Sequence, residues 1–241
     1  ESGRFADTRE ISSDNLIQYM TDTTSDAYAD SVSVEEYEEF FAEALTQAEE
    51  VIHISMARGM GKSYEMAVTA AKGFDHVHVI DSTLISCGQG LIALYGGKLA
   101  AERYSVDEIC RNIERIKRQI SSHYIMHSAN IFYQRGYVNH ITAAICGWFR
   151  LHPVLKMSQS RMVVAGVRAG KLENAWRIFI RLRLLHRKKI SRDVVFISHV
   201  GCSVEQQEII KEEILRCIPF EKVIIQRASV SIACNSGIGT F

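Results

Sequence analysis

The chain has 241 residues, 47% of them hydrophobic, and its 28 Lys plus Arg balance 28 Asp plus Glu. That is enough apolar chain for one large domain or two smaller ones with real cores. The charge balance leaves no global field for nucleic acid or an acidic membrane surface, and no apolar run approaches the roughly 20 residues of a membrane span.

Cys87, Cys110, Cys146, Cys202, Cys217 and Cys234 form no C-x-x-C pair, which points to reduced core residues of a cytosolic (cytoplasmic) protein without a secretory leader. His76 and His78, like His123 and His127, fall in or beside strand-like segments with no carboxylate or thiol close by in sequence, so no metal centre is expected.

Residues 1–34 read as a polar, weakly structured lead-in with one amphipathic piece at 14–20. Ser33 followed by Glu36 is a capping-box start, and a helix over 34–48 is predicted from it. Next comes a β-α-β pattern: the apolar run Val51-Ile52-His53-Ile54-Ser55, the turn Met56-Ala57-Arg58-Gly59-Met60-Gly61-Lys62-Ser63, a helical stretch, and the run Val77-His78-Val79-Ile80-Asp81-Ser82. The turn before the helix aims backbone N–H groups at an anion. Residues 88–101 are apolar with small side chains, and Ser105 opens a helix whose Ile109, Ile113, Ile116 and Ile120 form a core stripe.

A short strand at 124–126 and a helix at 141–149 precede His152-Pro153, where the residue before proline is pushed out of the helical region; this is the predicted domain boundary. Beyond it the pattern predicts a hairpin, 154–157 and 161–164, around Ser158-Gln159-Ser160. A basic amphipathic helix at 172–189 follows, then a strand at 194–197, a helix at 204–217 and strands at 222–226 and 230–233. The fold class is therefore α/β in two lobes: a parallel-sheet α/β lobe (1–153), then a two-layer α+β lobe with a mixed sheet (154–241).

Gly61-Lys62-Ser63 matches the end of a P-loop, and Asp81 stands where a magnesium-holding aspartate could; but the first obligatory glycine falls on Met56. A nucleotide-binding phosphotransferase stays open as the alternative, as does a tight turn with a solvated Lys62. No catalytic Ser-His-Asp or paired-carboxylate arrangement follows from the spacing.

The same residues, Ile54-Ser55-Met56-Ala57-Arg58-Gly59-Met60-Gly61-Lys62-Ser63-Tyr64-Glu65-Met66-Ala67, resemble the I-S-x-S-S-G-x-S-G-(S/T)-Y-x-x-A signature of the DegV family of bacterial fatty-acid-binding proteins. Val79-Ile80-Asp81-Ser82 with Gly88 and Gly90, Pro153-Val154-Leu155, Arg168-Ala169-Gly170-Lys171 and the terminal Asn235-Ser236-Gly237-Ile238-Gly239-Thr240-Phe241 resemble further family motifs in the family's order. The resemblance implies a non-catalytic carrier that buries a long-chain fatty acid between its lobes, needs no cofactor, and presents its ligand to a partner kinase. It implies head-group contacts at Arg58, Gly59, Gly61, Lys62, Ser63, Asn235, Ser236 and Gly237, with Ser82 and Tyr137 as further candidates.

The chain departs from the family where hydroxyls are expected. The head-group serine falls on Gly61, the next glycine on Lys62, the Ser-Ser pair on Ala57-Arg58, the terminal histidine on Asn235 and an arginine on Tyr137. Thr23-Thr24-Ser25 resembles an upstream T-T-S-Q-P motif at the wrong spacing, and the family's opening strand has no counterpart, which would leave a strand edge uncovered. Arg58 and Lys62 at a helix N-terminus would still favour an anion, or simply face solvent. The basic side of the 172–189 helix, Arg177, Arg181, Arg183, Arg187, Lys188 and Lys189, would serve an acidic partner or a transient membrane contact, or be an ordinary solvated face. A ligand-free sensory domain is the third reading.

Overall fold

The computed structural model describes residues 3–7, 9–22, 27–130, 133, 139–185 and 189–241. The elements begin with α1 (Ser13–Asp22), α2 (Val34–Leu45), β1 (Val51–Ser55), α3 (Ser63–Ala71), β2 (Val77–Asp81), α4 (Ser86–Ala101) and α5 (Val106–Ile116). They continue with β3 (His123–Ile125), α6 (His140–Trp148), β4 (Leu151–Ser158), β5 (Arg161–Ala169), α7 (Leu172–Leu184), β6 (Val194–His199), α8 (Val204–Cys217), β7 (Lys222–Arg227) and α9 (Val230–Ser236). The α/β class and the parallel pairing are as the sequence indicates.

The chain divides into two interleaved units. Unit 1 takes Glu1–Ala29, His123–Leu155 and Val164–Phe241; unit 2 takes Asp30–Ser122 and Lys156–Val163. This differs from a single break after Pro153. The rule that pushes His152 out of helical space is obeyed, but by an extended strand: Pro153 lies inside β4, where its carbonyl accepts from Met126 N at 2.9 Å.

In unit 2, β1 and β2 pair in parallel with Val51 opposite Val77 and Ser55 opposite Asp81. Alternation along the strands separates two cores. Val51, Val77 and Val79 pack with Tyr37 and Phe41 of α2 and Ala67 and Ala70 of α3, while Ile52, Ile54 and Ile80 pack with Ile92, Leu99, Ile109 and Ile113 of α4 and α5. Both Ser33 and Ser105 cap their helices through complete capping boxes. His53 lies among the rings of Tyr37, Phe40 and Phe41, and burial lowers its pKa.

In unit 1, β6 and β7 pair in parallel, and α7 and α8 pack together around Trp176, Phe179, Ile180, Ile210 and Ile214. β3, β4 and β5 form a separate sheet, with Gln159 and Ser160 at φ 48° and 61° making the two-residue turn of the predicted β4-β5 hairpin. The lead-in is more ordered than its polarity suggests. Leu16 of α1 is buried against Val200, Ala228, Ala233 and Cys234.

One element changes type: residues 230–233, expected as a strand, form α9. Its N-terminus is capped locally by Ser229 Oγ, which accepts from Ile232 N, and remotely by Asp7, whose carboxylate accepts from Val230 N and Ser231 N, both at 2.9 Å. The basic helix α7 is also less free than its sequence suggests, because Arg177 and Arg181 both reach the buried Glu213 of α8. Arg187 and Lys188 lie outside the described residues. Among the described residues the six cysteines form no disulfide. No helix among the described residues is long and apolar enough to cross a membrane.

Candidate functional site

The loop after β1 opens at the carboxyl ends of two parallel strands, the end where open α/β sheets bind ligands. It makes a short 3₁₀ turn, Arg58–Met60, before α3 begins at Ser63. Asp81, at the end of β2, organises it: Oδ1 accepts from Arg58 N at 3.3 Å and Thr83 N at 2.8 Å, and Oδ2 accepts from Ser160 Oγ at 3.3 Å. The exposed Arg58 guanidinium lies 3.6 Å from Oδ2. Lys62, at the start of α3, supplies no side-chain cap; its backbone N–H donates to Ser31 Oγ at 3.3 Å, and its side chain is exposed.

Ser63 sits beside the Tyr37 hydroxyl, whose pKa burial raises and the Ser63 hydroxyl partly lowers again. Ser82 is fully buried and closes its own turn, donating to Leu84 O at 2.8 Å and accepting from Leu84 N at 3.1 Å. The Ser82 hydroxyl, expected at the head group, is thus engaged within the fold. Ser55 carried no such expectation, yet its buried Oγ has no hydrogen-bond partner among the described residues.

The two loop glycines differ in kind. At Gly59 a Cβ would stand 2.4 Å from Ser160 O and 2.9 Å from Arg161 Cγ, so the hairpin turn needs a bare backbone there. Gly61 is extended, at φ 166°, and a Cβ would meet only Met56 and Ser31 at ordinary contact distances. Gly59→Val is therefore expected to cost about 1–3 kcal/mol, while Gly61→Ser should stay within about 0.5 kcal/mol of the parent; thermal unfolding of the two variants checks the contrast.

Asn235, Ser236 and Gly237 belong to unit 1 and sit at the end of α9. Asn235 Nδ2 donates to Ser231 O at 2.9 Å, and Ser236 Oγ donates to Ile232 O at 2.6 Å, so both side chains bond back to their own helix. Gly237, at φ 76°, ends the helix, and the following residues stitch into the fold through Gly239 N to Val200 O and Phe241 N to Ile125 O. Tyr137 lies outside the described residues.

His76 and His78 have a carboxylate neighbour after all. Glu50, just before β1, places its two oxygens 3.0 Å from His76 Nδ1 and 2.9 Å from His78 Nε2, and these bonds hold its pKa below the usual carboxylate value. Parallel pairing, with Val51 opposite Val77, brings together residues 26 and 28 positions apart. No group of three His, Cys, Asp or Glu able to hold a metal ion occurs among the described residues.

A cavity of about 490 Å³ lies within unit 1, and its lining includes Ala129, Arg150, Leu151, His152, Lys171 and Leu172. That volume is in the range of small-molecule sites. Sequence reasoning placed none of these residues at a site, because they come from the segment after β3, the α6-β4 junction and the start of α7. The one signal in the sequence was Gly170-Lys171, within the Arg168-Ala169-Gly170-Lys171 motif.

A family model described as "Uncharacterised protein, DegV family" matches residues 2–241. A DegV domain-containing protein of Clostridium perfringens is 23% identical over 217 residues, covering 84% of this chain and 71% of that protein. Matches to other curated members cover 41% to 59% of those proteins' lengths. Among solved structures, a fatty-acid-binding DegV family protein from Thermus thermophilus is 21% identical with a TM-score of 0.82, covering 98% of this chain and 84% of that one. The Streptococcus pneumoniae Fatty Acid Kinase (Fak) B3 protein, loaded with linoleic acid, is 14% identical with a TM-score of 0.81, covering 95% and 81%. With motifs in the family's order, a family match over nearly its whole length and a shared fold, the chain belongs to the DegV family.

Proposed function

We propose that the chain is a non-catalytic carrier of a long-chain fatty acid or related acyl anion, which it presents to a partner kinase. The observation that carries the reading is the family match over residues 2–241, with a fold shared with fatty-acid-binding members. Burying an acyl chain at about 0.8 kcal/mol per CH₂ supplies affinity, and a few polar groups fix the head. Fatty acid binding by the Thermus and Streptococcus proteins supports the ligand class, and the kinase for which the Streptococcus protein is named supports a kinase partner. A transient membrane contact fits α6 better than α7: Ile141, Ile145, Trp148 and Phe149 are exposed along or just beyond α6, with Trp148 83% exposed.

Native mass spectrometry of freshly purified protein, followed by organic extraction, tests the carrier. A stoichiometric fatty acid is expected; a bare protein that also refuses added fatty acids overturns the reading. The P-loop alternative makes a separate demand, magnesium-dependent nucleotide binding lost in Lys62→Ala. With Asp81 engaged by Arg58, Thr83 and Ser160, and Met56 at the first P-loop glycine, the expected result is no such binding in either protein, measured by calorimetric titration with ATP and magnesium.

A further inference from the structure

Gly61 stands where the family signature has a serine, and its backbone does not demand a glycine: at φ 166° it is extended, a conformation any residue adopts. Two groups border the space beside it. A Cβ on Gly61 would lie 3.7 Å from Met56 Cε and 3.8 Å from Ser31 Oγ. One wall is therefore apolar and the other carries a hydroxyl. Ser31, Met56 and Gly61 all belong to unit 2.

The Ser31 hydroxyl is placed from two sides. Its oxygen accepts from Lys62 N at 3.3 Å, at the start of α3. Its backbone lies two residues before Ser33, where the capping box of α2 fixes the chain: Ser33 N donates to Glu36 Oε2 at 2.8 Å, and Glu36 N to Ser33 Oγ at 3.2 Å. A hydroxyl that accepts one bond still has its proton to donate. No acceptor for that proton occurs among the described residues, and Ser31 is only half-buried, so a ligand can reach it. The two loop cations differ in the same way. Arg58 is already matched by Asp81, 3.6 Å from its guanidinium, whereas Lys62 is exposed and its ammonium has no partner among the described residues.

We infer that Ser31 takes over the hydroxyl that position 61 lacks, donating its proton to a carboxylate oxygen of the acyl head group beside Gly61, with the Lys62 ammonium adding the neutralising charge. The inference rests on the carrier reading above and names the residues that serve it at the loop after β1. A hydroxyl donating to a carboxylate makes a charge-assisted bond roughly twice as strong as a neutral one. An ammonium on a flexible stem adds a point charge. Arg58, expected at the head group, is left to the loop itself, on Asp81.

The test measures oleate and oleyl alcohol by displacement of a fluorescent fatty-acid probe from the parent chain and from Ser31→Ala, Ser31→Ala/Gly61→Ser, Ser31→Asp and Lys62→Gln. Ser31→Ala is expected to weaken oleate about 10- to 100-fold and oleyl alcohol no more than about 3-fold. Adding Gly61→Ser, which returns a hydroxyl across the same space, should bring oleate back to within about 3-fold of the parent. Lys62→Gln should weaken oleate about 2- to 5-fold at low salt, and less as salt screens the charge. Ser31→Asp keeps an acceptor for Lys62 N but cannot donate, so it should abolish oleate binding and keep the alcohol. That variant carries the test if circular dichroism shows Ser31→Ala unfolded. Parent-like oleate binding by Ser31→Ala or Ser31→Asp, equal losses for acid and alcohol, or no rescue by Gly61→Ser overturns the assignment and leaves the carrier intact. Parent-like binding by Lys62→Gln at low salt overturns the part given to its charge. A parent chain that binds neither ligand overturns the carrier reading with it.

Discussion

Trp176→Ala is expected to cost about 3–5 kcal/mol, a large part of the roughly 5–15 kcal/mol by which folded proteins are stable. Trp176 is fully buried in α7, edge-on to Phe241 at 5.6 Å between ring centroids, and its cluster draws on α7, α8, β6 and the β3 and β4 residues Ile125 and Val154. Removing the indole opens a cavity between elements that have no other ring of that size. The indole Nε1 has no hydrogen-bond partner among the described residues, so part of its burial is already unfavourable. Trp176→Phe should therefore cost far less, about 1 kcal/mol, since it trims volume and removes the orphan N–H together. Urea unfolding followed by circular dichroism at 222 nm separates the two. Equal losses in both variants would show that packing around the ring is not what the site contributes.

Glu213→Gln comes second. The Glu213 side chain is fully buried, with Arg181 Nε at 2.6 Å from Oε1, Arg177 at 3.0 Å and Arg216 at 3.4 Å from Oε2. Its pKa is lowered, chiefly by the Arg181 hydrogen bond and also by Arg177, against the opposing effect of burial. Breaking such a buried pair costs about 3 kcal/mol, the arginines being exposed enough to regain water. The sign with pH follows from the lowered value. The stabilisation is fully present above the unfolded carboxyl pKa of 4.5 and is lost as pH falls through the lower folded value. Parent and Glu213→Gln should thus differ by a constant amount from about pH 8 to pH 5 and converge in acid. A gap that widens below pH 4.5 would contradict the ion-pair account.

Local chemistry was the legible part of this chain. Ser33 with Glu36 places a helix start within a few residues, because a capping box needs only four consecutive positions, and Ser105 marks another; the structure completes both boxes and adds a third, Ser203 with Gln206, that the sequence reading did not name. The apolar runs 51–55 and 77–80 likewise declare a buried parallel pair. What escaped depends on partners far away in sequence. Val230-Ser231-Ile232-Ala233 alternates like a strand, and nothing nearby reveals that Asp7 will cap it as a helix. Arg177 and Arg181 read as a free basic face until α8 brings Glu213 against them. The site followed the same division. The loop after β1 was visible from its glycines, whereas the cavity rim joins Arg150 to Lys171 across a whole hairpin, and no local pattern announces it.

The Asp7 cap has a consequence for how the chain is made. The hydrogen bonds from Val230 and Ser231 span more than 220 residues, and Leu16 is covered by residues as late as Cys234. During synthesis α1 therefore emerges without its cover, while the segment 30–122 of the other unit is already free to collapse. Residues made more than 200 positions later complete the packing of α1, and until they arrive its apolar side faces water or a chaperone.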